Sequence, residues 1–229
     1  MRVRRIDSVK NARSNMVFAQ LKTNGVISKP ILNAFENIPR EYFVPIVSLP
    51  IAYGDSPIYC DVPGRYLFAP QTLGIFLQYL GLSPNDKVLV VGGNYGYTAT
   101  VLFELKCIAY IVESHPIFVA KCREKLKKYN AVIQNAPLEL GLEEYGPYKA
   151  IIIELGLSSI PDFVIHQLEE NGKLAVCITA AENSLTKACI FEKKDENIII
   201  MSLNKIVINR NYSKFSKSNN KKGDKKNNI

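Results

Sequence analysis

The segment Val88-Leu-Val-Val-Gly92-Gly93-Asn94-Tyr95-Gly96-Tyr97 is where this chain is best suited to hold a ligand. An apolar run passes straight into glycines, the pattern of a buried strand that turns into a helix. Glycine in such a turn lets a ligand approach the main chain. The free N–H groups and partial positive charge of the helix N-terminus favour an anionic group. A purely structural tight turn has the same outline, so the spacing must decide. A dinucleotide fingerprint needs glycine at the first, third and sixth positions. Counted from Gly92 those positions hold Gly92, Asn94 and Tyr97, which disfavours NAD. The Gly-x-Gly-x-Gly spacing, with Asn94 in place of the central glycine, fits the nucleoside turn of S-adenosylmethionine enzymes better. Glu113 lies 21 residues beyond Gly92, close to the roughly 20 expected of an acid that grips ribose hydroxyls. Two carboxylate oxygens can accept both hydroxyls. A surface glutamate at a strand end is the alternative.

The elements around the turn follow from periodicity and breakers. Helices are predicted over 8–22, ending near Gly25, and over 30–37. Residues 45–65 hold Pro50, Gly54, Pro57, Pro63 and Gly64, so a long loop is predicted there. Leu73, Phe76, Leu77 and Leu80 recur at helical spacing after Pro70 and stop at Gly81. Strands are predicted over 87–91, 108–112, 131–134, 150–154 and 174–178, and helices over 97–105, 116–129 and 161–170. That alternation implies a parallel sheet covered on both faces. Residues 188–191 and 198–207 suggest a closing antiparallel pair. The domain reading is an N-terminal helical and loop segment over 1–69 packed on a core over 70–209, then a disordered basic tail over 210–229, too polar to offset its ordering entropy.

Composition narrows the class. The chain has 229 residues and 47% hydrophobic content, as an ordinary globular protein does. It has no run of 18 apolar residues and no secretory h-region, so no membrane partner and a cytoplasmic location are expected. The net charge of +8 sits on the ends: residues 210–229 hold seven basic residues and one acid, residues 1–13 five and one, and the remainder carries −2. A fold without its own basic groove argues against specific nucleic-acid binding. Cys60, Cys107, Cys122, Cys177 and Cys189 form no Cys-x-x-Cys pair, and His115 and His166 lie far apart, so no metal site is expected and free thiols are.

A family resemblance covers about residues 12–179. Arg13-Ser-Asn-Met16-Val-Phe-Ala-Gln20-Leu, Ile38-Pro39-Arg40-Glu41-Tyr42-Phe43-Val44-Pro45 and Ala52-Tyr53-x-Asp55 follow one another in order. Gly96-Tyr97, Glu113, Pro147-Tyr148, Ile160-Pro161 and Gln167-Leu168 followed by Gly172 complete the series. It is similar to the protein-L-isoaspartate O-methyltransferase family, which methylates the abnormal carboxyl of isoaspartyl residues in damaged proteins. The resemblance implies an α/β fold: a Rossmann-like class I S-adenosylmethionine-dependent methyltransferase with a seven-stranded, mostly parallel sheet and an N-terminal helical segment. It implies S-adenosylmethionine as cofactor, held by Gly92, Gly93, Asn94, Gly96, Glu113 and Ala136. It implies a damaged protein or peptide as substrate, with Asp55, Tyr66, Phe68 and Ala69 on the substrate side.

Departures cluster at the site. The family's "G-Q-T-I-S-Q-P" runs onto Gly64-Arg65-Tyr66-Leu67-Phe68-Ala69-Pro70, so its active-site serine falls on Phe68 and its threonine on Tyr66. No catalytic residue is assigned in their place. The acid that opens the cofactor motif falls on Val90, the "G-D-G" after the third strand on Asn135-Ala136-Pro137, and the aspartate of "P-Y-D" on Lys149. Two other readings therefore stand beside the repair enzyme. One is a methyltransferase for another acceptor, entering a more apolar pocket lined by Tyr66 and Phe68. The other is a non-catalytic relative that has lost the cofactor. Val90, Asn94 and Ala136 favour the latter; Glu113 and Gly96 favour an enzyme.

Overall fold

The computed structural model describes residues 2–179, 186–195, 197–201 and 207–208. Helix α1 (Arg2–Met16) continues through a π-helical turn (Val17–Leu21) and a 3-10 turn (Lys22–Asn24), and Gly25 ends the run at φ 86°. The helix thus begins earlier than residue 8. Helix α2 (Lys29–Asn37) starts with a proline in its first turn, where the missing N–H costs nothing. Short 3-10 turns follow (Arg40–Phe43, Ile46–Ile51), then the two-residue strands β1 (Ile58–Tyr59) and β2 (Tyr66–Leu67), which among the described residues pair only with each other. The predicted loop over 45–65 is therefore partly built. Helix α3 (Pro70–Leu80) ends at Gly81, φ 63°, as the Pro and Gly signals require.

The sheet contains β3 (Lys87–Val91), β4 (Ile108–Glu113), β5 (Val132–Asn135), β6 (Tyr148–Leu157), β7 (Leu168–Thr179), β8 (Thr186–Lys194), β9 (Asn197–Met201) and β10 (Val207–Ile208). Helices α4 (Tyr97–Glu104), α5 (Pro116–Leu126) and α6 (Phe163–Gln167) connect its parallel strands. The order across it is β10-β8-β7-β6-β3-β4-β5, with β9 also on the outer edge of β8. Since β9 and β10 share that edge, the sheet is seven positions wide. The β5, β4, β3, β6 and β7 strands are parallel to their neighbours; β8 and the edge strands close it antiparallel. Chain order reverses between β3 and β6, and open α/β sheets bind ligands outside the carboxyl ends of strands at such a point.

Alternation along the strands splits the core in two. Val88, Val90, Ile111 and Ile152 pack on one face with Leu21, Phe35, Phe76 and Tyr66. Leu89, Val91, Val112 and Ile153 pack on the other with Tyr148, Phe163 and Val164. The N-terminal segment is fastened to the first face by arginines. Arg40, fully buried, donates from Nε to the Ala52 carbonyl at 3.0 Å and from Nη2 to the Phe68 carbonyl at 2.6 Å, with its guanidinium 4.6 Å from the Tyr97 ring centre. Arg13 donates to the Tyr53 hydroxyl at 3.1 Å, and that hydroxyl donates to Glu41.

One helix is shorter than its pattern. The stretch over 161–170 was expected to be helical throughout, but α6 stops at Gln167 and Leu168 opens β7, in register with Tyr148. Leu168 and Tyr148 are both buried there, and Asn171 takes φ 60° before Gly172, where a Cβ would lie 2.8 Å from the Glu169 carbonyl. Burial against β6 overrides the i, i+4 spacing of Val164 and Leu168. The antiparallel pair is present as β8 and β9, which ends at Met201; residues 202–206 of the expected second strand and the tail over 210–229 lie outside the described residues.

Candidate active site

The glycine turn leaves the carboxyl end of β3 with Gly92 at φ 78°, Asn94 at φ 48° and Gly96 at φ 86°, the last capping α4. Asparagine tolerates this left-handed region better than most residues, which explains Asn94 in a glycine's place. Gly93 has no room for a side chain: a Cβ would stand 2.5 Å from Ile111 Cγ2. A Cβ on Gly96 would meet Leu126 at 3.3 Å. The turn is thus buried along its length, packed from behind by Ile111 and Leu126 and covered over Gly92 by Arg65.

Glu113 ends β4 beside it and is fully buried. Its Oε1 accepts from the His115 backbone N–H at 2.9 Å and its Oε2 from the Asn94 backbone N–H at 3.1 Å. The surface-glutamate alternative is excluded: this is a buried carboxylate fixed by main-chain donors. Arg65, 4% exposed, supplies its charge partner. Nη1 donates to Oε1 at 3.0 Å and Nη2 to Oε2, a bidentate pair, while Nε donates to Asn94 Oδ1 at 3.1 Å. The guanidinium also lies 5.0 Å from the Phe118 ring centre.

A second acid joins from β6. Glu154, 1% exposed, accepts from Thr98 Oγ1 and from Asn94 Nδ2 at 3.3 Å; the same Nδ2 also donates to the Tyr66 carbonyl at 3.0 Å. Burial pushes the Glu154 carboxyl up to about 7, only partly offset by these hydrogen bonds and by Arg40 and Arg65. Asn94 therefore bridges two buried acids, one raised in pKa by burial and one paired with Arg65. Arg65 and Glu154 carried no role in the sequence reading. Glu154 had a usable signal, an acid closing the Ile-Ile-Ile run at the carboxyl end of a strand beside the switch point.

The expected site residues divide. Gly92, Gly93, Asn94, Gly96 and Glu113 come together as one cluster. Ala136 touches it through the backbone, donating to the Glu113 carbonyl at 3.3 Å. Tyr66 contributes its carbonyl, but the expectation that Tyr66 and Phe68 line an apolar acceptor pocket is corrected. Both side chains are 1% exposed; Phe68 packs edge-on against Phe76 at 5.3 Å and Tyr66 at 5.9 Å. β2 turns its side chains into the core, and no acceptor can reach them there without repacking it. Ala69 is buried as the residue before α3, and Asp55 is exposed. Val90, at the family's acid position, sits in the core between Ile111 and Ile152. Among the described residues no cluster of His, Cys, Asp or Glu could hold a metal ion.

The parallel sheet, its antiparallel closure and the buried acid after β4 define a Rossmann-like class I methyltransferase fold. A solved protein-L-isoaspartate O-methyltransferase superposes with a TM-score of 0.70 at 26% identity, covering 83% of this chain, which spans 64% of that one. A structure from Plasmodium falciparum, described as a putative protein-L-isoaspartate O-methyltransferase in complex with S-adenosyl-L-homocysteine, shares the fold with a TM-score of 0.67 at 22% identity, over 82% of this chain and 92% of that one. The family profile of protein-L-isoaspartate(D-aspartate) O-methyltransferases matches residues 12–209, and the chain belongs to that family. Relatives named protein-L-isoaspartate O-methyltransferase are 31% identical in Protochlamydia amoebophila (70% of this chain, 78% of the relative) and in Methylorubrum extorquens (72% and 73%).

Proposed function

We propose that the chain is an S-adenosylmethionine-dependent carboxyl methyltransferase acting on isoaspartyl residues of damaged proteins or peptides, in the cytoplasm. Family membership over residues 12–209 supports the reaction. The observation that carries the cofactor assignment is Glu113, a fully buried carboxylate beside the Gly92–Gly96 turn at the end of β4. The residues fit the nucleoside half of the cofactor: a glycine turn, a helix N-terminus and an acid whose two oxygens take a pair of parallel N–H donors. Their present partner is Arg65, so the fit holds with that side chain withdrawn.

When bound, S-adenosylmethionine supplies an electrophilic methyl group. The acceptor carboxylate is already ionised at neutral pH, with a reference pKa near 4. No general base is required, and the protein's work is proximity, orientation and exclusion of water. The absence of a serine at Phe68 therefore removes a positioning contact, not a proton acceptor. Glu113 would hold the ribose hydroxyls, the Gly92–Gly96 turn would let the ligand approach the main chain, and α4 would set its partial positive charge at the turn. Burial raises the Glu154 carboxyl towards its neutral form, which would lessen the second negative charge beside Glu113.

The test is a calorimetric titration with S-adenosylhomocysteine of the parent and of Glu113→Gln. Loss of an acceptor for charge-assisted hydrogen bonds should cost about 1.5–3 kcal/mol for each bond lost. Equal affinity in a folded variant contradicts the assignment.

A further inference from the structure

The guanidinium of Arg65 stands where a ribose is expected. It presents two parallel N–H donors to the two oxygens of Glu113, the pattern a vicinal diol would present. Its Nη2 lies 3.2 Å from the position of a Cβ on Gly92, so it fills the open side of the glycine turn. Nε is held by Asn94, the residue in place of the turn's central glycine, and the group is 4% exposed. The glycine turn, the buried acid and the substituted Asn94 thus share one occupant, and that occupant belongs to the chain.

Arg65 also arrives on a detachable piece. It closes the turn between β1 and β2, whose strands pair with each other and not with the main sheet. The turn is held by Cys60 N–H donating to the Arg65 carbonyl at 2.9 Å, by Gly64 at φ 76°, and by the Tyr95 hydroxyl donating to Asp61 at 2.5 Å. Moving residues 60–65 breaks these contacts, the Arg65 bonds to Glu113 and Asn94 and the packing of Cys60 and Val62 on the core, and leaves every sheet ladder intact. The opening is local and costs the buried pair, so the closed form dominates in the free chain.

We propose that Arg65 is an internal stand-in for the ribose diol: it occupies the nucleoside half of the cofactor site in the free chain, and the 60–65 turn gates cofactor entry. This rests on the assignment of Glu113 to the ribose. The closed form does not bind, so the apparent affinity equals the intrinsic affinity reduced by the open fraction. A change that loosens Arg65 and leaves the ribose acceptor Glu113 in place raises that fraction. Asn94 is the latch, since its Oδ1 orients Nε and its Nδ2 ties the turn's Tyr66 carbonyl to Glu154.

The experiment titrates S-adenosylhomocysteine into the parent, Arg65→Gln and Asn94→Gly, and follows the Arg65 Nε–H resonance of the parent by NMR. Glutamine is the family's residue at that position, and Asn94→Gly keeps the test alive should Arg65→Gln fail to fold. Arg65→Gln is expected to bind at least tenfold more tightly than the parent, Asn94→Gly also more tightly, and the Nε–H resonance to shift at saturation. Binding by the variants and none by the parent supports the gate equally. Parent and Arg65→Gln affinities within twofold of each other, or an unmoved Nε–H resonance at saturation, overturn the gate and leave the cofactor assignment standing. Folded Arg65→Gln and Asn94→Gly that both fail to bind at millimolar ligand overturn the cofactor assignment, and the gate with it.

Discussion

Replacing Arg65 by alanine separates a buried ion pair from a surface one. The side chain makes three hydrogen bonds, two to Glu113 and one to Asn94, and stacks on Phe118. Removing it leaves the Glu113 carboxylate fully buried with only the Asn94 and His115 backbone donors. Breaking a buried pair on one side costs about 3–5 kcal/mol, because the remaining charge stays desolvated. For a chain of this size each kcal/mol moves the melting point by about 2–4 °C, so a fall of about 6–20 °C is expected. Urea unfolding of Arg65→Ala, Glu113→Gln and the double variant Arg65→Ala/Glu113→Gln forms the cycle. The double variant carries no unpaired buried charge and should regain much of the single-variant loss, giving a coupling of more than about 1 kcal/mol. A loss below about 1 kcal/mol in Arg65→Ala, the value of a solvated pair, would refute the buried network.

Two further outcomes follow from the same geometry. Phe68→Ser, which restores the family's serine, should destabilise by about 3 kcal/mol or more, since it removes a buried ring and leaves a hydroxyl among Phe76 and Tyr66; unchanged stability with a gain of methyl transfer would show that β2 can turn over. Glu154 has a folded pKa of about 7 against 4.5 for the free side chain. Between those values the unfolded chain releases the proton first, so stability falls as pH rises from about 4.5 to about 7, by up to ~3 kcal/mol, and is level above. Glu154→Gln should flatten that slope in urea titrations at pH 5 and 7.5; an identical slope in parent and variant places the titration elsewhere.

Local signals were legible in the sequence where local physics decides. Pro70 and Gly81 bracket α3, and Gly92 and Gly96 take the positive φ that their turn needs. Glu113 falls at the end of β4, where its distance from Gly92 put it. What failed was non-local. Arg65 lies 48 residues from Glu113 and in a loop segment with no period to read, so nothing in its surroundings says which element it reaches. Tyr66 and Phe68 are two apart in a two-residue strand and its extension, too short for alternation to reveal that both side chains enter the core. Leu168 reads as helical beside Val164, and only the presence of Tyr148 on β6 makes it the first residue of a strand. The signature Pro39-Arg40-Glu41, by contrast, is explained by packing: Arg40 satisfies the Ala52 and Phe68 carbonyls under Tyr97, and Glu41 receives Tyr53. It maintains the scaffold around the site, independently of the loop that carries Phe68.

The central claim is methyl transfer to an isoaspartyl carboxylate. Its most direct test incubates the full chain with methyl-labelled S-adenosylmethionine and a peptide carrying one isoaspartyl residue, with the aspartyl isomer alongside. The label is then counted as methanol released by base. The account predicts base-labile label on the isoaspartyl peptide and none on its isomer, with faster labelling by Arg65→Gln when the cofactor is subsaturating. No label on either peptide, from parent and variant both saturated with cofactor, would contradict it.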